Sequence, residues 1–289
     1  MRLNRKIAGL GAAKLATLTS GVAWAQDGIE GLKTIGAPVD GKMGFQPAAT
    51  ELARDIFWLD GMVNIIIAAI CAFVVLLLVI IILRYNGRSN PKPGTFTHNS
   101  PIEVTWTVVP IIILVFIGAF SLPVLFKQQE IPEADITNKV TGYQWYWGYE
   151  YVDEGVTFES FLLERDQLAE YGYADDEYLL ATDTAVVIPT GKTIVVQATG
   201  ADVIHAWTIP AFGVKQDAVP GRLAELWFKV DEGKEGIYFG QCSELCGKDH
   251  AFMPITVKAV TQAQYDAWLA GPAQAFMAEP SAVKVAAAD

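Results

Sequence analysis

Residues 136–151 read ITNKVTGYQWYWGYEY. In an extended chain successive side chains point to opposite sides, so Tyr143, Trp145, Trp147, Tyr149 and Tyr151 share one face of a strand. This alternation begins after Ile131-Pro132 and replaces the helical patterning upstream. Further β-rich runs cover residues 185–188, 193–198, 203–209, 223–230, 237–240 and 255–260. They are short, rich in Val, Ile and aromatics, and punctuated by Pro189-Thr190-Gly191, Pro220-Gly221 and Glu232-Gly233. Many short strands with such punctuation imply a sandwich or barrel, here within residues 127–270. Residues 152–183 interrupt the runs with ten acids and one cation, Arg165, and read as a solvated acidic insertion. QAQYDAWLA at 262–270 reads as a closing helix, and the Ala/Pro-rich residues 271–289 as a frayed tail.

Upstream, residues 61–83 and 104–126 are two runs of 23 uncharged, mostly aliphatic residues. A helix rises about 1.5 Å per residue, so each run is long enough for a hydrocarbon core of roughly 30 Å. Asp60 and Arg84 bound the first run, and Glu103 and Lys127 the second, which makes a transmembrane hairpin a better reading than two buried core helices. The connection 84–103 holds Arg84, Arg88 and Lys92 against the single acid Glu103, and cationic loops stay in the cytoplasm. The segment 26–60 and everything from 127 onward then face outside. That downstream portion carries 25 acids against 11 cations. Residues 1–25 supply Arg2, Arg5, Lys6 and Lys14, a small-residue apolar stretch and Ala23-Trp24-Ala25, the parts of a secretory signal peptide. Removing its four cations would take the net charge from −11 to −15. Leader and loop charge independently give one topology.

The whole chain has 289 residues, 52% of them hydrophobic and 18% charged. That composition excludes disorder, and its acidity excludes nucleic-acid binding, which requires cations to neutralise phosphates. Three cysteines are too few for a disulfide-stapled scaffold. Cys71, within the first apolar run, reads as a small buried hydrophobe, and His98 in the loop has no partner legible in the sequence.

The chemistry concentrates in residues 240–253, GQCSELCGKDHAFM, with His205 37 residues upstream of Cys242. A Cys242–Cys246 disulfide would suit an oxidising compartment but leaves His250 and Met253 unexplained. Zinc could take two Cys and two His, yet has no use for a thioether. Thiolate, imidazole and Met together suit copper electron-transfer sites, of which a mononuclear one needs a single Cys. Two thiolates so close can instead bridge two coppers, each completed by one His, with Met253 near one ion and a backbone carbonyl near the other.

These residues resemble subunit II of the haem–copper cytochrome c oxidases. The likeness extends over the hairpin, Gly142-Tyr143-Gln144-Trp145-Tyr146-Trp147, Asp217-Ala218-Val219-Pro220-Gly221-Arg222 and residues 240–254. It implies a two-helix transmembrane hairpin followed by an all-β cupredoxin-like Greek-key barrel. It implies a binuclear copper centre, CuA, with Cys242 and Cys246 as bridges, His205 and His250 as nitrogen ligands, and Met253 and the Glu244 carbonyl as weak ligands. The Glu244 side chain would bind Mg2+ or Mn2+ at the interface with subunit I, a role that residue type alone would not suggest. Trp145 would be the electron-entry aromatic. Asp202, Glu150 and Asp183 would help to dock the basic face of cytochrome c, as complementary charge speeds encounter. Glu103, with Thr105 and Trp106, would lie at the mouth of a proton-uptake path, although a carboxylate there also simply marks where a helix leaves lipid. Asp217 would lie near the subunit I interface.

The implied function is electron entry: from cytochrome c to CuA and on to the haem of subunit I, where oxygen is reduced to water with proton translocation. Subunits I and III, cytochrome c and membrane lipid are the implied partners, and a bacterial inner membrane with the barrel in the periplasm the implied location. Two related families fit worse. A nitrous-oxide reductase needs a second, histidine-rich copper cluster, and this chain has three His in all. A quinol oxidase subunit II lacks the copper ligands. A membrane-tethered copper carrier would leave the aromatic stretch and Glu244 without a purpose. No C-x-x-C-H follows Met253, which fits a donor that is a separate protein.

Overall fold

The computed structural model describes residues 28–92 and 94–277; the expected leader over 1–25 and the last part of the expected tail lie outside them. Two helices, α1 (Glu51–Arg84) and α2 (Ser100–Gln129), form the hairpin. Both are long and apolar enough to cross a membrane, and nothing in their most hydrophobic windows is buried by protein. Leu76, Ile82, Leu114 and Val115 are among the many large apolar side chains that stand free, which in water would be prohibitive and in lipid is ordinary. α1 begins ten residues before its apolar run because Thr50 caps it, its side chain accepting from the Ala53 amide at 3.0 Å. Asn99 caps α2 in the same way, and Glu103 accepts in return from the Asn99 amide at 3.1 Å. Glu103 thus has a local structural duty at the helix start.

The β domain contains β1 (Thr34–Gly36), β2 (Ile136–Tyr143), β3 (Tyr146–Tyr151), β4 (Val156–Ser160), β5 (Val186–Pro189) and β6 (Thr193–Gly200). It continues with β7 (His205–Ile209), β8 (Val214–Ala218), β9 (Ala224–Lys229), β10 (Gly236–Gln241) and β11 (Pro254–Val260), and closes with helix α3 (Gln262–Ala270). One sheet has the order β1-β10-β11-β5, a second β4-β3-β2-β6-β9, and β7-β8 form a separate ribbon. The chain crosses between the two main sheets after β1, β4, β5 and β9, so sequence neighbours are often not spatial neighbours. A common core unites the sheets: Val140, Trp147 and Tyr149 from one, Val187, Tyr238 and Ile255 from the other. The Tyr151 hydroxyl crosses between them, donating to the Val187 carbonyl at 2.8 Å and accepting from the Val187 amide at 2.9 Å.

Three local expectations are corrected. Residues 136–151 are not one strand: the chain reverses at Gln144-Trp145, and β2 pairs with β3 antiparallel, Tyr143 opposite Tyr146. The reversal changes which parity faces inward. Even positions are buried in β2 and odd ones in β3, so Tyr143 leaves the core face and stacks on Tyr146 at 4.7 Å, with Phe161 next at 4.6 Å. The acidic segment is not simply solvated. It contributes β4, and Leu163, Leu168, Tyr173 and Ala181 form a second core against Ile237 and Phe239 of β10. The tail, finally, is docked as far as it is described: Phe276 lies 5.4 Å from Phe158, and Met277 bridges to Val156.

Hairpin and barrel are joined by direct bonds. The Thr50 hydroxyl donates to the Phe212 carbonyl at 2.7 Å, the Ala49 amide to Ala211 at 2.9 Å, and Arg54 pairs with Asp231. Gly213 sits where a Cβ would come within 2.7 Å of the Ala53 backbone, so the ribbon and α1 touch at the main chain. The barrel therefore rides on the helices as one unit.

Candidate metal centre

β10 and β11 pair in register up to Gln241 opposite Pro254. The residues just past that last pair are Cys242 and Met253, so the sheet itself delivers both ends of the loop to one place. The Cys242 amide continues the ladder to the Met253 carbonyl at 3.4 Å. The loop is then tied down on other sides: the Ser243 amide donates to Ala206 at 3.0 Å, the Gln144 side-chain amide to the Cys246 carbonyl at 2.8 Å, and the Trp147 indole to the Met253 carbonyl at 3.2 Å. At Gly240 a Cβ would fall 1.9 Å from the Thr208 carbonyl, so only glycine lets β10 lie this close to β7.

β7 begins with His205, fully buried. Its Nδ1 lies 3.9 Å from the Cys242 sulfur, while the His250 Nδ1 lies 3.5 Å from the Cys246 sulfur. The two sulfurs are 3.9 Å apart. A disulfide bond measures about 2.05 Å, and both cysteines are free. The Glu244 carbonyl stands 3.3 Å from Cys242, and the Met253 sulfur 3.5 Å from Cys246. Each thiol thus has its own imidazole and its own weak donor. Among the described residues, His205, Cys242 and Cys246 form the one group of three or more His, Cys, Asp or Glu side chains close enough to share a metal.

The thiols are electrostatically coupled. Burial pushes Cys242 up, but its contact with His205 and backbone hydrogen bonds at Glu244 and Ala206 outweigh this and bring it down to about 7. Burial, and then the neighbouring Cys242 charge, drive Cys246 up to about 12. One thiolate forms readily, and the second waits for a cation to compensate the pair. Soft anions held together, with imidazoles and a thioether converging on them, fit copper; the thioether has no role toward zinc.

Around the donors lie the other expected residues. Trp145 occupies the β2–β3 turn, with its ring against Gly247, where a Cβ would meet Trp145 Cζ2 at 2.9 Å, and with the Lys248 ammonium 5.5 Å from the ring centre. It is half-buried and spans the distance from the surface to the loop. Asp202 is exposed only in part, for its carboxylate accepts from the Gln144 amide at 2.8 Å and meets His205 Nε2 at 2.9 Å. Burial opposes ionisation there, but these bonds hold the Asp202 carboxyl below its ordinary range. Glu150 pairs with Lys139 at 3.0 Å. Asp183 accepts from the Phe161 amide at 2.8 Å, and burial lifts its carboxyl above the usual range. The Glu244 side chain is exposed on the loop, and Glu103 lies at the far end of α2, remote from the donors in the fold. Asp217 pairs with Ala206 across the β7–β8 ribbon. Sequence reasoning missed Gly142 and Gln144 as parts of the site. A Cβ at Gly142 would meet the His205 ring at 2.7 Å, and no local pattern announces that contact.

Comparison with known proteins agrees with this geometry. The family model described as cytochrome c oxidase subunit II, periplasmic domain, matches residues 136–260, and that of the transmembrane domain matches 38–124. Cytochrome c oxidase subunit 2 of Cereibacter sphaeroides is 59% identical over 273 residues, 90% of this chain and 88% of that one. The probable cytochrome c oxidase subunit 2 of Rickettsia bellii is 44% identical over 234 residues, 81% of this chain and 85% of that one. A crystal structure of the periplasmic domain of subunit II of cytochrome oxidase from Bradyrhizobium japonicum is 49% identical, with a TM-score of 0.45, covering 50% of this chain and 99% of that one. With a membrane hairpin, a β domain and a paired-thiol site matched along nearly their whole length, the chain belongs to the cytochrome c oxidase subunit II family, the electron-transfer subunit of that oxidase.

Proposed function

We propose that this chain accepts electrons from reduced cytochrome c at a binuclear CuA centre and passes them to the haem of subunit I, where oxygen is reduced to water and protons are translocated. The observation that carries this is the symmetry of the donors: two unbridged sulfurs 3.9 Å apart, each with its own histidine nitrogen and its own weak donor. When bound, a copper pair supplies one-electron chemistry with the charge shared between two ions. The chain's own residues do the rest. Cys242 and Cys246 would bridge, His205 and His250 would each complete one ion, and Met253 and the Glu244 carbonyl would approach weakly. Burial of Cys242, Cys246, Met253 and His205 keeps water from the donors. The loop's backbone bonds to β7, Gln144 and Trp147 hold its shape, so little would need to move when the electron count changes.

Trp145 offers a path inward from the surface, because its ring rests on the copper loop at Gly247. The acidic surface that includes Glu150, Asp183 and the exposed edge of Asp202 suits a basic donor. The Glu244 side chain, exposed on the loop, would bind Mg2+ or Mn2+ shared with subunit I, and a subunit III completes the complex. The cationic loop 84–103 favours a cytoplasmic hairpin turn, with the barrel and both mature ends in the periplasm after leader removal. Glu103 at that turn would serve the proton-uptake path.

The test is spectroscopic. The full chain, purified in detergent and loaded with copper, should bind two ions and show one unpaired electron spread equally over both by paramagnetic resonance. Cys242→Ser and Cys246→Ser should each abolish that pattern, and with it the turnover of an oxidase assembled around either variant. A single-copper spectrum from the unaltered chain refutes the reading.

A further inference from the structure

Asp202 lies on the surface, where an acid of this family would be counted as a docking charge, yet both of its carboxylate oxygens are engaged by the fold. Oδ1 meets His205 Nε2 at 2.9 Å and accepts from the Val203 amide at 2.6 Å, while Oδ2 accepts from the Gln144 amide at 2.8 Å. An ionised carboxylate can only accept, so the proton of the ring sits on Nε2 and the Nδ1 lone pair is turned toward Cys242, 3.9 Å away. The ring is confined on other sides too. Gly142 leaves no room for a Cβ beside it, and the edge of Trp147 meets it with centroids 5.9 Å apart. Gln144, through its side chain, also holds the Cys246 carbonyl at 2.8 Å. One carboxylate therefore links a histidine ligand, the turn that carries Trp145, and through Gln144 the second sulfur's backbone.

We propose that Asp202 is a positioning residue for the metal centre: it selects the tautomer and orientation of His205 and couples that ligand to the Gln144-Trp145 turn. This rests on the reading of His205 as a copper ligand. Carboxylates that orient ligating imidazoles in this way are worth about 10–100-fold in metal affinity or activity.

The experiment compares Asp202→Ala with Asp202→Asn in the full chain, purified in detergent and titrated with copper, using nitrogen hyperfine couplings of 15N-histidine as the second readout. Asn keeps an oxygen for His205 Nε2 and the Val203 amide, removes the charge and turns its NH2 toward the Gln144 N–H; Ala removes every acceptor. Positioning predicts a roughly 10–100-fold loss of copper affinity and altered histidine couplings in Ala, with a smaller loss and unaltered couplings in Asn, which keeps the acceptor for His205 and gives up only the one for Gln144. A purely docking acid predicts that Ala and Asn behave alike, with unchanged affinity and couplings and only a weakened, salt-sensitive reaction with cytochrome c. That result overturns the proposal. If Ala fails to fold without metal, Asn carries the decision: unaltered couplings support positioning only where Asp202→Leu, which fills the same space without an acceptor, alters them; equal couplings in both overturn it. Failure of the reading beneath is separately visible, since the unaltered chain would then lack the two-copper signal.

Discussion

Gly142→Ala tests how tightly the fold determines the site. The added methyl would lie 2.7, 2.8 and 2.9 Å from Cγ, Cδ2 and Cβ of His205. Carbon atoms in contact prefer about 3.5–4.0 Å, so ring and strand must separate by roughly 1 Å. His205 cannot yield cheaply: it is fully buried, packed against Trp147 and bonded to Asp202. Overpacking of this kind costs about 1–3 kcal/mol. For a domain of this size that corresponds to a melting point lowered by roughly 3–10 °C. The loss should be larger in the copper-loaded chain than in the apo chain, because the displaced atom group is a ligand. Gly148→Ala is the control on the neighbouring strand. Its methyl would meet the Tyr143 ring at 3.1 Å, and that partly exposed ring can swing aside. The assay is thermal unfolding with and without copper, beside a copper titration. If Gly142→Ala matches Gly148→Ala in both, the claim that β2 sets the position of His205 is wrong.

Three further outcomes are expected. Tyr151→Phe should lower stability by about 1–3 kcal/mol in denaturant unfolding, since it strands the buried Val187 amide and carbonyl that the hydroxyl now satisfies. Asp183 has its carboxyl raised by burial, so it binds its proton more tightly folded than unfolded, and stability contributed at low pH is lost as pH climbs above about 4. Asp183→Asn, which keeps the acceptor for Phe161 but turns an NH2 toward the Thr184 donors, should flatten that decline; a variant whose stability falls with pH as steeply as the parent's contradicts the sign. Finally, the rate of electron transfer from cytochrome c should fall steeply between low and physiological ionic strength, as steering by exposed charge is screened with a Debye length of about 8 Å at 0.15 M. A rate indifferent to salt would remove the acidic surface from the mechanism.

Much of this molecule is legible in the sequence for simple reasons. Two 23-residue runs without a charge can only be satisfied in lipid or a large core, whatever surrounds them, and both became helices with their apolar side chains free. The donors of residues 240–253 lie so near in sequence that any turn between two paired strands must gather them. Other features depend on partners distant in the chain. The alternation of residues 136–151 has the same period on either side of a two-residue reversal, so sequence could not show that Tyr143 turns outward while Trp147 turns in. The acidic segment reads as solvated because ten acids are scattered among its apolar residues without a period; Leu163, Leu168 and Tyr173 acquire a core only when Ile237 and Phe239 arrive from β10. The resemblance likewise assigned Asp202 to a docking surface. Which way a carboxylate faces is decided by the amides and the imidazole that folding brings to it, from Gln144 58 residues away and from His205 at the start of β7. Sequence spacing gathered Cys242, Cys246, His250 and Met253 into one loop; tertiary contact alone brought His205 beside Cys242, because β7 meets that loop across the barrel.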